Sequence, residues 1–265
     1  MKCLLAVIAV LGILFVSNPV KAEGWRFDDS FDEWWYFTSG TGAALTESGG
    51  KLNFTATGAT SMAGAGYVLN QPFGFNNDFK VKVQFFNDIG VNSGGVELGL
   101  AKADENNQPS LVIYEGANYY NSAKRLEAGV NQLQNEVFLK TYNRDVNSGW
   151  LGMEYYANTD LLILSAFVND PEFSSGNNYL TDPVTGEEMS TEFSGFTDAY
   201  NPGKSEMSVY LGGWSHHGAV FNGEAGHTAY FDNFAAVKAV PEPVSTVLFL
   251  AGGAVLAGRR FRRKT

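Results

Sequence analysis

Aromatic rings close to amides and carboxylates are the side chains with which proteins hold sugars: the apolar face of the sugar stacks on the ring and the hydroxyls go to the polar groups. Two stretches offer that combination, Tyr119-Tyr120-Asn121 and Trp150 to Tyr156, and Trp34, Trp35 and Trp214 add further rings. Adjacent residues on a strand face opposite sides, so one tyrosine of each neighbouring pair can meet a ligand while the other packs. Tyr119, Tyr120, Trp150, Tyr155 and Trp214 are the candidate glycan-binding residues. Core packing is the competing role for each.

A second chemistry is metal binding. Asp28, Asp29 and Asp32 near the start, and Asp232 with Asn233 near the end, carry the hard oxygen ligands that calcium takes. Asp28 and Asp232 are the expected ligands of a structural calcium tying the two ends together; the competing role is turn capping through their own backbone N–H groups. Zinc has less support. His216 and His217 are adjacent and point apart on a strand, and His227 raises the set to two, short of the usual three or four ligands. No serine lies in a Gly-x-Ser-x-Gly turn and no glycine-rich phosphate loop opens a helix, so nucleophilic-serine and nucleotide chemistry are unsupported.

The elements that must position these residues are strands. Lys51 to Thr57 and Phe79 to Phe85 alternate apolar and polar residues between Gly and Asn turns. Further strand patterns cover Val96–Ala101, Leu111–Tyr114, Val137–Tyr142, Leu151–Tyr156, Leu161–Val168, Met207–Leu211 and Ala229–Phe234. Trp150–Tyr156 and Leu161–Phe167, joined by Ala157-Asn158-Thr159-Asp160, predict a hairpin. Residues 169–204 carry no strand pattern and predict one long loop. The whole reads as an all-β protein, a two-sheet antiparallel sandwich.

Both ends have a different composition. Lys2, the apolar run Leu4–Val16 and Val20-Lys21-Ala22 predict a signal peptide over residues 1–22, cleaved by signal peptidase. Its removal takes away Cys3, the only cysteine, and with it any disulfide. Between Glu23 and Ala239 stand eleven Lys and Arg against twenty-seven Asp and Glu, a net charge of −16. Such a surface disfavours nucleic acid, which needs basic patches. At the other end, Val240-Pro241-Glu242-Pro243 precedes an uncharged run, Val244 to Gly258, and a basic cluster, Arg259 to Thr265. Fifteen residues of helix span roughly 22 Å, short of a hydrocarbon core of about 30 Å. The run predicts one short, marginal transmembrane helix whose five flanking positive charges belong on the cytoplasmic side.

The tail closely resembles the PEP-CTERM sorting signal, with Pro241, Glu242 and Pro243 as its motif. That resemblance implies processing by an exosortase-type transpeptidase and export alongside exopolysaccharide, with delivery to the cell envelope or the extracellular matrix of a biofilm. The strand–turn–strand at Trp150–Phe167, Met207 to Trp214, Ala229 to Phe234, and the opening Phe27 to Trp34 resemble concanavalin A-like lectin/glucanase domains, which implies a jelly-roll sandwich over residues 23–239. Laminarinase-like members carry Glu-x-Asp-x-x-Glu on one strand, and here no glutamate has an aspartate two positions later. The expectation is therefore a non-catalytic body that binds extracellular polysaccharide, delivered by the sorting signal at 240–265. The alternatives are a structural or adhesive matrix protein, and a glycoside hydrolase or lyase with other catalytic acids.

Overall fold

A computed structural model describes residues 31–34, 43–56, 63–69, 72–88, 93–103, 109–120, 123–133, 135–171, 178–216 and 228–238. All belong to one compact unit, Lys21–Lys238. The expected signal peptide, Asp28, and the tail with Pro241, Glu242 and Pro243 lie outside the described residues.

The strands are β1 (Phe31–Trp34), β2 (Ala43–Ser48), β3 (Lys51–Ala56), β4 (Ala63–Leu69), β5 (Phe79–Asp88), β6 (Ser93–Ala103), β7 (Pro109–Tyr120), β8 (Ala123–Gln132), β9 (Asn135–Asn143), β10 (Ser148–Tyr156), β11 (Leu161–Phe167), β12 (Ser190–Ser194), β13 (Ser208–His216) and β14 (Thr228–Lys238). They form two seven-stranded antiparallel sheets. Sheet I has the order β1-β4-β13-β6-β7-β8-β9, and sheet II the order β12-β11-β10-β5-β14-β3-β2. The expected two-sheet antiparallel sandwich is the fold observed.

Alternation puts the core between the sheets. In β5, Phe79, Val81, Val83 and Phe85 point inward while Lys80, Lys82 and Gln84 point out. Sheet I answers with Val96, Leu98 and Leu100 of β6, Ile113 and Ala117 of β7, and Val209 and Leu211 of β13, all in one continuous core. The predicted hairpin is present: β10 pairs β11 from Trp150↔Phe167 to Tyr156↔Leu161. Asp160 closes its turn at φ 48°, a left-handed conformation that Asp tolerates better than most side chains. Its carboxylate accepts hydrogen bonds from the Tyr155 hydroxyl (2.9 Å), the Thr197 N–H (3.0 Å) and the Thr197 hydroxyl (2.9 Å). One side chain thereby caps the short helix α1 (Phe196–Tyr200) from a different element.

The segment read as a long loop holds more structure than its pattern suggests. β12 extends the edge of sheet II with Thr191 and Phe193 buried, and α1 packs Phe196 among Phe75, Phe193 and Tyr200. Five residues with two inward side chains are too short a run for alternation to register. The first and last described strands lie in different sheets, β1 beside β4 and β14 between β3 and β5.

Candidate functional site

The outward face of sheet I is paved in a checkerboard of glycines and large side chains. Because Val96, Leu98 and Leu100 turn inward, Gly95, Glu97 and Gly99 turn outward, and the registers place their neighbours. One row across the sheet reads Gly212, Glu97, Gly116, Glu127. The row on one side is Trp214, Gly95, Asn118, Arg125, and on the other Tyr210, Gly99, Tyr114, Gly129. Each glycine makes room for a neighbour lying down over it. A Cβ on Gly99 would come 1.9 Å from a ring carbon of Tyr210, and one on Gly95 would come 1.7 Å from Asn118 Oδ1. Tyr210 and Tyr114, with Ala101 and Val112, make a second small apolar cluster at one end of this face. Glu97, Asn118, Glu127 and Trp214 hold the other.

The polar end is electrostatically unusual. Glu97 is 6% exposed. Burial first, and the neighbouring Glu127 second, push its carboxyl up to about 8, against hydrogen bonding that favours the ion. The Tyr210 hydroxyl donates to Glu97 Oε2 at 3.3 Å. The indole N–H of Trp214 is near enough to favour the charged form of Glu97, yet it lacks hydrogen-bond geometry to any acceptor. Glu127 is also raised, mainly by burial and further by Glu136, while Asn118 and Arg125 pull it down. Asn118 Nδ2 donates to Glu127 Oε2 at 2.8 Å, but Asn118 Oδ1 is buried without a hydrogen bond. Unpaired buried polar atoms are rare and call for an explanation.

The residues singled out from sequence scatter across the sandwich. Trp214 lies on the outward face of sheet I beside Glu97. Tyr119 points into the interior, its hydroxyl 3.3 Å from Asn147 Oδ1 and its ring 5.1 Å from the Arg144 guanidinium. Tyr120 pairs with Ala123 at the end of β7. Trp150 is on the outward face of sheet II, its ring 5.3 Å from Lys82 Nζ. Tyr155 is fully buried, donating to the Phe75 carbonyl and Asp160. Asp232 Oδ1 accepts from the N–H of Asn233 at a bulge in β14, the local role that Asp takes in turns. Among the described residues no group of three or more His, Cys, Asp and Glu is placed to hold a metal ion, and Asp28, the other expected calcium ligand, lies outside them.

Sequence reading passed over Glu97, Asn118, Glu127 and Tyr210. Their signal was present as glycine at every second position: Gly95-x-Glu97-x-Gly99, Gly116-x-Asn118, Glu127-x-Gly129 and Tyr210-x-Gly212-x-Trp214.

No family model matches the chain, and no curated protein matches it in sequence. Solved structures do share its shape. It is similar to a seed lectin of Lotus tetragonolobus (TM-score 0.52, 12% identity, 84% of this chain and 100% of that one). It is similar too to the acidic lectin of winged bean (TM-score 0.54, 10% identity, 82% and 98%) and to lectin I of Ulex europaeus (TM-score 0.50, 13% identity, 81% and 95%). At these identities the likeness is one of fold, and the fold is the legume-lectin, concanavalin A-like sandwich.

Proposed function

We propose that the sandwich is a non-catalytic, glycan-binding body of an exported protein. In this reading the tail from Val240 to Thr265 delivers it: an exosortase-type transpeptidase acts at Pro241-Glu242-Pro243 after transient anchoring in the membrane with the C-terminus cytoplasmic, leaving the body in the cell envelope or extracellular matrix. The observation that carries the binding half is the outward face of sheet I. Aromatic rings, two carboxyls and an amide stand on a glycine floor, and two buried polar atoms, Asn118 Oδ1 and Trp214 Nε1, lack partners that sugar hydroxyls would supply. The shared fold supports the reading: the winged bean lectin is in complex with methyl-α-D-galactose and the Ulex europaeus lectin with the methyl glycoside of α-L-fucose.

The test is retention of the full-length chain on a broad polysaccharide panel, with and without a chelator. Retention that Trp214→Ala removes supports the site, and loss with chelator adds calcium to it. No retention on any glycan, calcium present, sinks the reading. Replacing Pro241, Glu242 and Pro243 by alanine should leave the tail attached; normal maturation would refute the sorting half.

One observation favours a second reading, glycoside cleavage. A protonated Glu97 two strands from Glu127, about 10 Å between their backbones, has the elements of an acid and a base. Reducing ends released by the wild type but not by Glu97→Gln would replace the binding reading.

A further inference from the structure

A carboxyl stands in the apolar layer between the sheets, away from the outward face of sheet I. We propose that Glu115 is a pH-sensitive latch: it ties the β10–β11 hairpin of sheet II to β7 of sheet I, and its ionisation releases the end of the hairpin where Trp150 pairs with Phe167.

Alternation along β7 turns Ile113, Glu115 and Ala117 inward, so the carboxyl occupies a core position and is 4% exposed. It reaches across the sandwich to backbone. The N–H of Gly152 on β10 donates to Glu115 Oε2 at 3.3 Å, and the backbone N–H of Ser165 on β11 also favours its charged form. Gly152 and Ser165 are partners in the β10–β11 ladder, so a side chain of sheet I is bonded at a rung of sheet II. No countercharge accompanies it. The strands packed around it turn Leu98 of β6, Ala128 of β8, Val83 of β5, Met153 of β10 and Leu164 of β11 into the same core, all of them apolar. The two N–H groups alone oppose burial, which holds the carboxyl well above the usual carboxylate range. The protonated acid fits this place. An ionised carboxylate without a cation does not, and has to reach water.

Topology decides which side yields. β7 is paired along its length by β6 and β8. β11 has only the five-residue β12 between it and the edge of sheet II. The turn end of the hairpin is pinned, because Asp160 holds both Tyr155 and the first residues of α1. Gly152 and Ser165 lie toward the other end, which is tied by backbone bonds from Val168 to Asn178, from Leu180 to Ala166 and from Ala166 to Met189. Those segments move with it. The direction with pH follows from the raised carboxyl: the latch is whole below the unfolded pKa of a glutamate and weakens as pH rises through the folded one. One proton released per opening makes the opening constant rise about tenfold per pH unit in that window.

Native-state hydrogen exchange of the full-length chain, from mildly acidic to mildly alkaline pH, tests this. Protection factors are compared, so that base catalysis of exchange itself is divided out. In the wild type, protection from Trp150 to Gly152 and from Ser165 to Phe167 should fall about tenfold per pH unit, while β6 and β7 stay at least about tenfold better protected. Glu115→Gln keeps an oxygen for the Gly152 N–H and cannot ionise, so its hairpin protection should stay level with pH. The same fall in the variant overturns the proposal. So does hairpin exchange at the rate of β6 and β7, which would make the opening global. Should the variant fail to fold, carbon-13 titration of the Glu115 carboxyl in the wild type decides. Loss of its proton in the ordinary carboxylate range refutes the latch, and a proton kept through neutral pH and lost together with hairpin protection supports it.

Discussion

Replacing Glu97 by glutamine takes one titration out of the protein while keeping the shape and neutrality of a protonated acid. The Glu97 carboxyl lies at about 8 in the fold against an ordinary 4.5. A group whose folded pKa is raised keeps its proton in the native state after the unfolded chain has released it. Its contribution to stability is whole below the unfolded pKa and is lost as pH climbs through the folded one. At about 1.36 kcal/mol per pH unit, the loss across that window is on the order of 5 kcal/mol. Wild type and Glu97→Gln should therefore be equally stable near about pH 4.5 and diverge steadily above it, the variant being the more stable at about pH 8. Glu115, buried between the sheets against the N–H of Gly152, is raised by burial too. It contributes the same slope to both proteins and cancels in the difference. Urea unfolding followed by tryptophan fluorescence at a series of pH values reads the effect. Parallel pH profiles for the two proteins would refute the claim that Glu97 is neutral and buried in the native state.

Two further substitutions probe other parts of the argument. Asp160→Asn should cost about 1–3 kcal/mol in urea unfolding, because the carboxylate holds Tyr155 and both donors of Thr197. The acceptor bonds hold the Asp160 carboxyl below its usual range, so this stabilisation is present above the unfolded pKa and fades as pH falls through the folded one; a variant as stable as wild type at neutral pH would contradict the capping role. Gly99→Ala should cost about 1–3 kcal/mol, since the new methyl meets the Tyr210 ring at 1.9 Å and the Ile113 carbonyl at 2.7 Å. A loss under about 0.5 kcal/mol would mean that Tyr210 can leave the glycine freely.

Strand alternation made the sandwich legible where one face meets the core and the other meets water. β5 and the β10–β11 hairpin are cases where period-two pattern, turn residues and tertiary burial agree. β8 is the opposite case. Lys124-Arg125-Leu126-Glu127-Ala128 are helix formers, and only pairing with β7 and β9 holds them extended with Leu126, Ala128 and Val130 inward. β4, Ala-Gly-Ala-Gly-Tyr-Val-Leu, offers too little apolar contrast to announce itself. For the site, composition indicated rings and amides, but the parity of each strand decides which of them leave the core. That parity turned Tyr119 and Tyr155 inward and Trp214 outward, and a pair of adjacent tyrosines cannot reveal it. The carboxyls were missed because Glu97 and Glu127 are thirty residues apart in sequence and become neighbours only through the β6-β7-β8 register.

The glycine floor has a consequence for how such a surface can change over generations. Gly99 and the ring of Tyr210 occupy one volume between them, as do Gly95 and Asn118, and Gly129 and Tyr114. Enlarging one partner crowds the other, so a larger residue at the first position is accommodated best by a smaller one at the second. The shape of the face is thus set by pairs of positions, and a single enlargement carries the cost of overpacking.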